Sequence, residues 1–281
     1  DRKNTMTAHP KVTLVTCKSM PNLFKGEEGL LDELAARGCD PQIKVWNDPD
    51  VDWSEAGMVV VRSVSDYASD RAAFLEWTKQ LSRVQNSADV LNWNTDKHYL
   101  KELAALGMPT IPTNWLEPEQ NLSKHQIHTR FPAFGEFVVK PAVSSGVRDI
   151  GRYTTVDTRQ RQAAMRQVQG LLGEGRSVMI QRYVEEIDLH GEISLVFFNG
   201  LVSHAVEKRS ALHPSSVSDP AVHEAVVTAE AADSVAWKWG EEIRRVLHGY
   251  VRSRLGHDEQ FLFNRVDLVP DGKGSFLVME V

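Results

Sequence analysis

Residues 137–151, Phe-Val-Val-Lys-Pro-Ala-Val-Ser-Ser-Gly-Val-Arg-Asp-Ile-Gly, pass from a β-branched apolar run into a loop of small residues closed by glycine. Gly146 and Gly151 have the Gly-x-x-x-x-Gly spacing of a phosphate-binding loop, but Arg152 and Tyr153 stand where such a loop carries Lys and Ser or Thr. The continuation Tyr153-Thr154-Thr155-Val156 is strand-forming, so no helix N-terminus follows to receive phosphate. The segment therefore predicts strand, loop and strand, with strands over 137–140 and 152–156. Ser144, Ser145 and Gly146 leave backbone N–H groups open to a polyphosphate, and Lys140 adds charge at the rim. An ordinary hairpin with an exposed lysine accounts for the same residues.

Beyond this loop, 158–172 has helical spacing, and the apolar strand 177–183 runs into an acidic connector, 185–192. Backbone groups at the end of such a strand can read an adenine, and a later carboxylate can accept hydrogen bonds from ribose hydroxyls. Edge strands also end in charged turns. Strands over 192–199 and 201–206 form a hairpin around Asn199-Gly200, the preferred two-residue turn. Residues 211–222 are rich in Ser and Pro and read as a loop, 225–255 read as helix in two pieces, and 261–269 and 275–281 read as closing strands. Asp267 lies between Val266 and Leu268, and Glu280 between Met279 and Val281, so strand alternation turns both acids to one face. Two carboxylates on adjacent strands are hard oxygen ligands suited to Mg²⁺ on phosphates. A solvated outer face gives the same pattern.

Towards the N-terminus, 94–107 reads as a helix capped by Asn94 or Thr95 and stopped by Gly107, and the prolines of 108–113 make that stretch extended. Strands over 11–17, 42–46 and 59–61 alternate with helices over 26–37 and 70–81, which predicts an open α/β sheet. The turn after the first strand lacks Gly-x-Gly-x-x-Gly, which argues against a dinucleotide site there.

The 281 residues suffice for about two domains, and 42% hydrophobic with 25% charged excludes disordered and fibrous classes. Lys and Arg number 32 against 38 Asp and Glu, a net charge of −6, so the chain lacks the basic field of a nonspecific nucleic-acid binder. No apolar run approaches the roughly 18 residues of a membrane span, and residues 1–10 lack a signal-peptide core, so a cytoplasmic location is expected. Cys17 and Cys39 read as free thiols. His125 and His128 have weak metal spacing, Ser144, Ser145, Ser215 and Ser216 lack a nucleophile elbow, and the tryptophans read as packing residues.

Taken in order, several motifs together resemble the ATP-grasp superfamily. They are Asn94-Thr95-Asp96-Lys97, Val139-Lys140-Pro141 with Ser144-Ser145-Gly146, Gln181-x-x-Val184, Gly191-Glu192, Lys208-Arg209, Arg265-Val266-Asp267 and Met279-Glu280. The resemblance runs from about residue 93 to 281 and is nearest to the glutathione-synthetase-like carboxylate–amine ligases. It implies an N-terminal α/β pre-ATP-grasp domain over 1–110, a lid subdomain over 111–185 and a core subdomain over 186–281. It further implies ATP between two antiparallel sheets, with Lys97, Lys140 and the loop Ser144, Ser145 and Gly146 on its phosphates. Gln181, Arg182, Tyr183 and Val184 are implied for adenine, Glu192 for ribose, and Asp267 and Glu280 for Mg²⁺ or Mn²⁺. Lys208, Arg209 and Arg265 are implied beside the reacting substrate, an amino-acid-like carboxylate. The family's third metal ligand, often Asn just after the Glu, would lie beyond Val281.

The implied reaction is attack of a carboxylate on the γ-phosphate, giving an acyl phosphate that a nitrogen nucleophile opens. Within the branch, residues 191–209 are similar to cyclo-ligases that close O-ureido-D-serine to D-cycloserine, with the 211–220 loop expected over the acyl phosphate. An intermolecular amino-acid ligase and a nucleotide-binding protein without turnover are the alternatives. Retention of Lys97, Lys140, Asp267 and Glu280 together argues for turnover.

Overall fold

Short β-branched runs form the four parallel strands of the first unit: β1 (Lys11–Thr16), β2 (Asp40–Val45), β3 (Met58–Ser63) and β4 (Val84–Gln85), in the order β2-β1-β3-β4. The computed structural model describes residues 8–209, 212, 224–228 and 233–281, and the chain divides into two units, 1–92 and 93–281. In the first, α1 (Leu30–Ala36) and α2 (Arg71–Thr78) connect the strands. Asp70 caps α2 by accepting from the Ala73 N–H at 3.0 Å, a contact that typically stabilises a helix by about 1 kcal/mol. The core gathers Val15, Cys17, Trp46, Val59, Phe74 and Trp77, with Trp46 edge-on to Phe74 at 5.6 Å. Gly57 is required here, since a Cβ at that position would stand 2.3 Å from the Lys11 carbonyl oxygen. The expected helix over 26–37 starts only at Leu30. Its first residues are taken by a left-handed Gly26 and by Glu27, which binds Arg62 and the Ser63 hydroxyl.

The expected helix over 94–107 starts only at Tyr99. After α3 (Ala88–Asn94) the chain breaks, and α4 (Tyr99–Ala105) begins anew. The break gives the Lys97 N–H to the Ala142 carbonyl at 2.9 Å instead of to a helix. An antiparallel sheet of order β5-β8-β6-β7 follows, from β5 (Thr113–Leu116), β6 (Glu136–Pro141), β7 (Gly151–Thr154) and β8 (Val178–Arg182). Two helices, α5 (Lys124–His128) and α6 (Thr158–Gly173), cover one face over Leu116, Phe137, Val139, Val168 and Ile180. The strand–loop–strand reading of 137–156 holds, and no helix follows the glycines.

After α7 (Glu186–His190) comes a second antiparallel sheet of order β11-β10-β9-β12-β13. It comprises β9 (Glu192–Phe198), β10 (Leu201–Lys208), β11 (Glu224–Thr228), β12 (Phe263–Pro270) and β13 (Phe276–Glu280). Asn199 and Gly200, both at positive φ, make the expected hairpin turn. The expectation of helix from 225 is corrected: Glu-Ala-Val-Val-Thr pairs with β10 as an edge strand, as its β-branched residues favour. The helix is one piece, α8 (Ser234–Leu255), capped by Asp233. Among the described residues no helix is long and apolar enough to cross a membrane, and Cys17 and Cys39 are free thiols.

Candidate active site

The two sheets of the second unit share an apolar cluster of Ile111, Val138, Tyr183, Ile187 and Val269, with Val184, Leu277 and Met279 packed against it. Around it stand the charged groups. Strand register sets them side by side on the five-stranded sheet, where Lys208 pairs with Glu192, and Asp267 pairs with both Ser194 and Glu280. Residues directly opposite share a face, so Glu192, Lys208, Asp267 and Glu280 form one patch. Gly191 delivers Glu192 to it with φ 74° and ψ −162°, a glycine conformation, because a Cβ there would meet the Lys208 carbonyl oxygen at 2.6 Å.

Asp267 is 1% exposed, and both its oxygens accept from Arg265, at 2.8 Å each. Burial pushes its carboxyl up, but the Arg265 guanidinium and the Lys208 ammonium outweigh that and hold it below the usual carboxylate range. Burial also pushes the Glu192 carboxyl up, against the pull of Lys208 at 3.7 Å. Lys97, 6% exposed, bridges the loop to the acids: its Nζ lies 3.0 Å from the Ser144 carbonyl oxygen and 3.2 Å from both the Ser144 hydroxyl and Glu280 Oε1. Lys140, on the opposing sheet, is buried, and desolvation lowers its ammonium to about 8 despite the attraction of Glu280 and Glu192. Four cations thus surround three carboxylates, an arrangement that a polyphosphate with a divalent cation would complete.

The sequence-derived residues therefore divide. Lys97, Lys140, Ser144, Glu192, Lys208, Arg265, Asp267 and Glu280 converge. Tyr183 and Val184 line the apolar cluster beside them. Gln181 is buried, with its amide donating to Thr113 at 2.9 Å. Arg182 turns away, donating to the Phe134 carbonyl at 2.7 Å and lying over the Phe134 ring. Ser145 is half-buried, while Gly146 and Arg209 are exposed. Except for Leu212, the 211–220 loop lies outside the described residues.

Two features went unread in the sequence. Asn94 and Tyr99 hold the Val281 carbonyl oxygen, at 2.8 and 3.2 Å, anchoring the strand that carries Glu280. A ring of contacts also encloses Lys97: the Ala142 N–H goes to the Ser177 carbonyl, and the Ser177 hydroxyl and the His98 ring both go to Glu117. His98 lies between Asp96 at 2.6 Å and Glu117 at 2.9 Å, and its ring stacks on Trp115. The Asp96 contact foremost, with help from Glu117 and against burial, raises the imidazole above its ordinary value. A raised folded value means that the stabilisation is full below about pH 6.5 and is lost as pH rises through the folded value. The melting temperature of His98→Gln should accordingly lie below that of the wild-type chain at pH 6 and approach it at pH 9. A gap independent of pH would mean that the ring contributes packing alone.

The residues present fit a hard divalent cation. Asp267 and Glu280 supply oxygen ligands on paired strands, and among the described residues no three His, Cys, Asp or Glu side chains form a cation cage. Magnesium is usually held by one or two carboxylates with phosphate oxygens and water completing the shell.

Residues 12–92 match the family model of the D-cycloserine synthetase DcsG N-terminal domain. Over 260 residues the chain is 33% identical to the cycloserine biosynthesis protein DcsG of Streptomyces lavendulae, covering 90% of this chain and 83% of that protein. The chain belongs to the DcsG family. The crystal structure of D-cycloserine synthetase DcsG superposes on this DcsG-family chain with TM-score 0.78 at 31% identity, covering 96% of this chain and 90% of that one. A D-alanine–D-alanine ligase from Bacillus anthracis, solved with ATP, superposes with TM-score 0.58 at 15% identity, covering 96% and 84%, a likeness of fold. The expected ATP-grasp fold with its N-terminal α/β domain is thus the fold of this DcsG-family ligase.

Proposed function

We propose that this chain uses ATP to activate the carboxylate of O-ureido-D-serine and closes it to D-cycloserine, in the cytoplasm and as a step of antibiotic biosynthesis. The observation that carries the reading is the convergence of Lys97, Lys140, Lys208 and Arg265 on the Asp267–Glu280 pair in a chain 33% identical to DcsG. In this reading Lys97, Lys140 and the loop Ser144, Ser145 and Gly146 bind the phosphates. Tyr183 and Val184 bound the adenine slot, and Glu192 accepts from the ribose hydroxyls. Asp267 and Glu280 would hold Mg²⁺ or Mn²⁺, which neutralises phosphate charge when bound.

Arg265, anchored by Asp267 and exposed on its other edge, orients the substrate carboxylate for attack on the γ-phosphorus. An acyl phosphate forms and ADP leaves. Lys208 and Arg209 sit at the substrate end, where the substrate's own ureido nitrogen attacks the acyl carbon and phosphate departs, and water then cleaves the carbamoyl group from that nitrogen as carbamate, which falls to carbon dioxide and ammonia. The protein's contribution is positioning and charge neutralisation.

An intramolecular nucleophile carries a high effective concentration, so no second amine is required. O-ureido-D-serine alone with Mg·ATP should give D-cycloserine and one phosphate per ring, read by phosphate release and mass spectrometry. Phosphate release only on adding a separate amine, with a product equal to two substrates less water, would make the enzyme an intermolecular ligase.

A further inference from the structure

Arg152, the residue that breaks the P-loop pattern, uses all five of its N–H donors. Its Nε and Nη2 go to Glu136 at 3.2 and 2.6 Å, and its Nη1 and Nη2 to Asp188 at 3.1 and 2.7 Å. The second Nη1 hydrogen goes to the Leu212 carbonyl oxygen at 3.1 Å. The guanidinium also lies 3.6 Å from the centroid of the Tyr183 ring, whose hydroxyl donates to the same Asp188 at 2.6 Å. The Tyr183 N–H in turn donates to the Glu136 carbonyl at 3.0 Å.

These partners come from the start of β6, the end of β8, α7 and the segment after β10, so one side chain on β7 ties together the passage from the four-stranded to the five-stranded sheet. Across β6, Arg152 pairs with Val138, which shares the apolar cluster with Tyr183 and Ile187. The height of the 183–190 connector above Val138 is therefore set by the planar fork of Arg152. Lysine would keep the charge and lose both bidentate pairs and the stack.

We propose that Arg152 is the positioning residue for the nucleotide: by fixing the connector against the β6–β7 hairpin, it sets the width of the adenine slot. The inference rests on the reading of that slot as the nucleotide site. It separates Arg152 from the phosphate lysines, because a misplaced connector weakens nucleotide binding, whereas Lys208 and Arg265, given to the amino-acid substrate, are not among the partners of Arg152.

The test is calorimetric titration of ADP with Mg²⁺, together with steady-state kinetics, on wild type, Arg152→Lys and Asp188→Asn, with melting temperatures recorded alongside. Arg152→Lys should weaken ADP binding and raise the KM for ATP by about tenfold or more, as a slot displaced by a fraction of an ångström would, with the KM for the amino-acid substrate unchanged. Asp188→Asn should move the same parameters in the same direction by less. Unaltered ADP affinity in a folded Arg152→Lys protein would overturn the inference while leaving the proposed function standing. So would a parallel rise in both KM values. Failure of the wild-type protein to bind ADP would overturn both.

Discussion

Replacing Lys140 by alanine is expected to lower turnover at saturating ATP by about a hundredfold or more, since on the proposed function it removes a preorganised charge aimed at the transferring phosphoryl group. The side chain is 8% exposed and its ammonium is lowered to about 8 by burial, so it is held charged at neutral pH only against a desolvation cost. Alanine removes that cost, and the variant should fold at least as well as the wild type. The lowered value adds a second signature. As pH rises through about 8 the amine loses its proton, and ADP affinity of the wild-type protein should fall; the alanine variant, already weak, should lack that limb. Stopped-flow phosphate release and calorimetry between pH 7 and 9 read both effects. Near-native turnover in Lys140→Ala would remove the lysine from the phosphate site.

Asp267→Asn is expected to cost about a hundredfold or more in activity, because an amide keeps the shape and loses the charge that, on the proposed function, faces the divalent cation. The two acids should differ in their effect on folding. Asp267 is buried against Arg265, whose side chain is 44% exposed and can turn to water when its partner is neutralised. Glu280 is the carboxylate partner of a Lys97 side chain only 7% exposed, so Glu280→Gln leaves a buried ammonium with neutral oxygens only, those of Ser144 and of the new amide. Equal activity losses with a lower melting temperature for Glu280→Gln are therefore anticipated. Restoration of neither variant by tenfold higher Mg²⁺ would leave the metal reading intact only if both bind ADP more weakly in its presence; an unchanged Mg²⁺ dependence in both would move the metal elsewhere.

The parts legible in the sequence were those written in short-range pattern. Strand alternation alone put Asp267 and Glu280 on one face, and β12–β13 register makes them direct partners. Asn199-Gly200 specified its hairpin, and Arg152-Tyr153-Thr154-Thr155 ruled out a helix after the glycines. What escaped depends on contacts between residues far apart in the chain. The stripe Tyr99, Leu100, Leu103 is helical, yet nothing local shows that the helix must wait for Lys97 to give its N–H to Ala142, 45 positions on. Residues 225–228 read as helix beside a long helix, and become strand because β10 offers an unpaired edge. Arg152 was read only for what it excluded; its two acids lie 16 and 36 positions away.

The Lys97–Glu280 contact at 3.2 Å has a consequence for the order of assembly. An ammonium at that distance already neutralises the glutamate and sterically excludes a metal ion from the oxygen it touches. If Glu280 is a metal ligand, as proposed, Lys97 would have to release that oxygen, and the polyphosphate would offer it a stronger partner. On the proposed reading the lysine would guard the acids against stray divalent ions, and a metal would be admitted together with the anion that draws the lysine off. Such an exchange would work as an interlock, with cation and nucleotide entering as one neutralised unit.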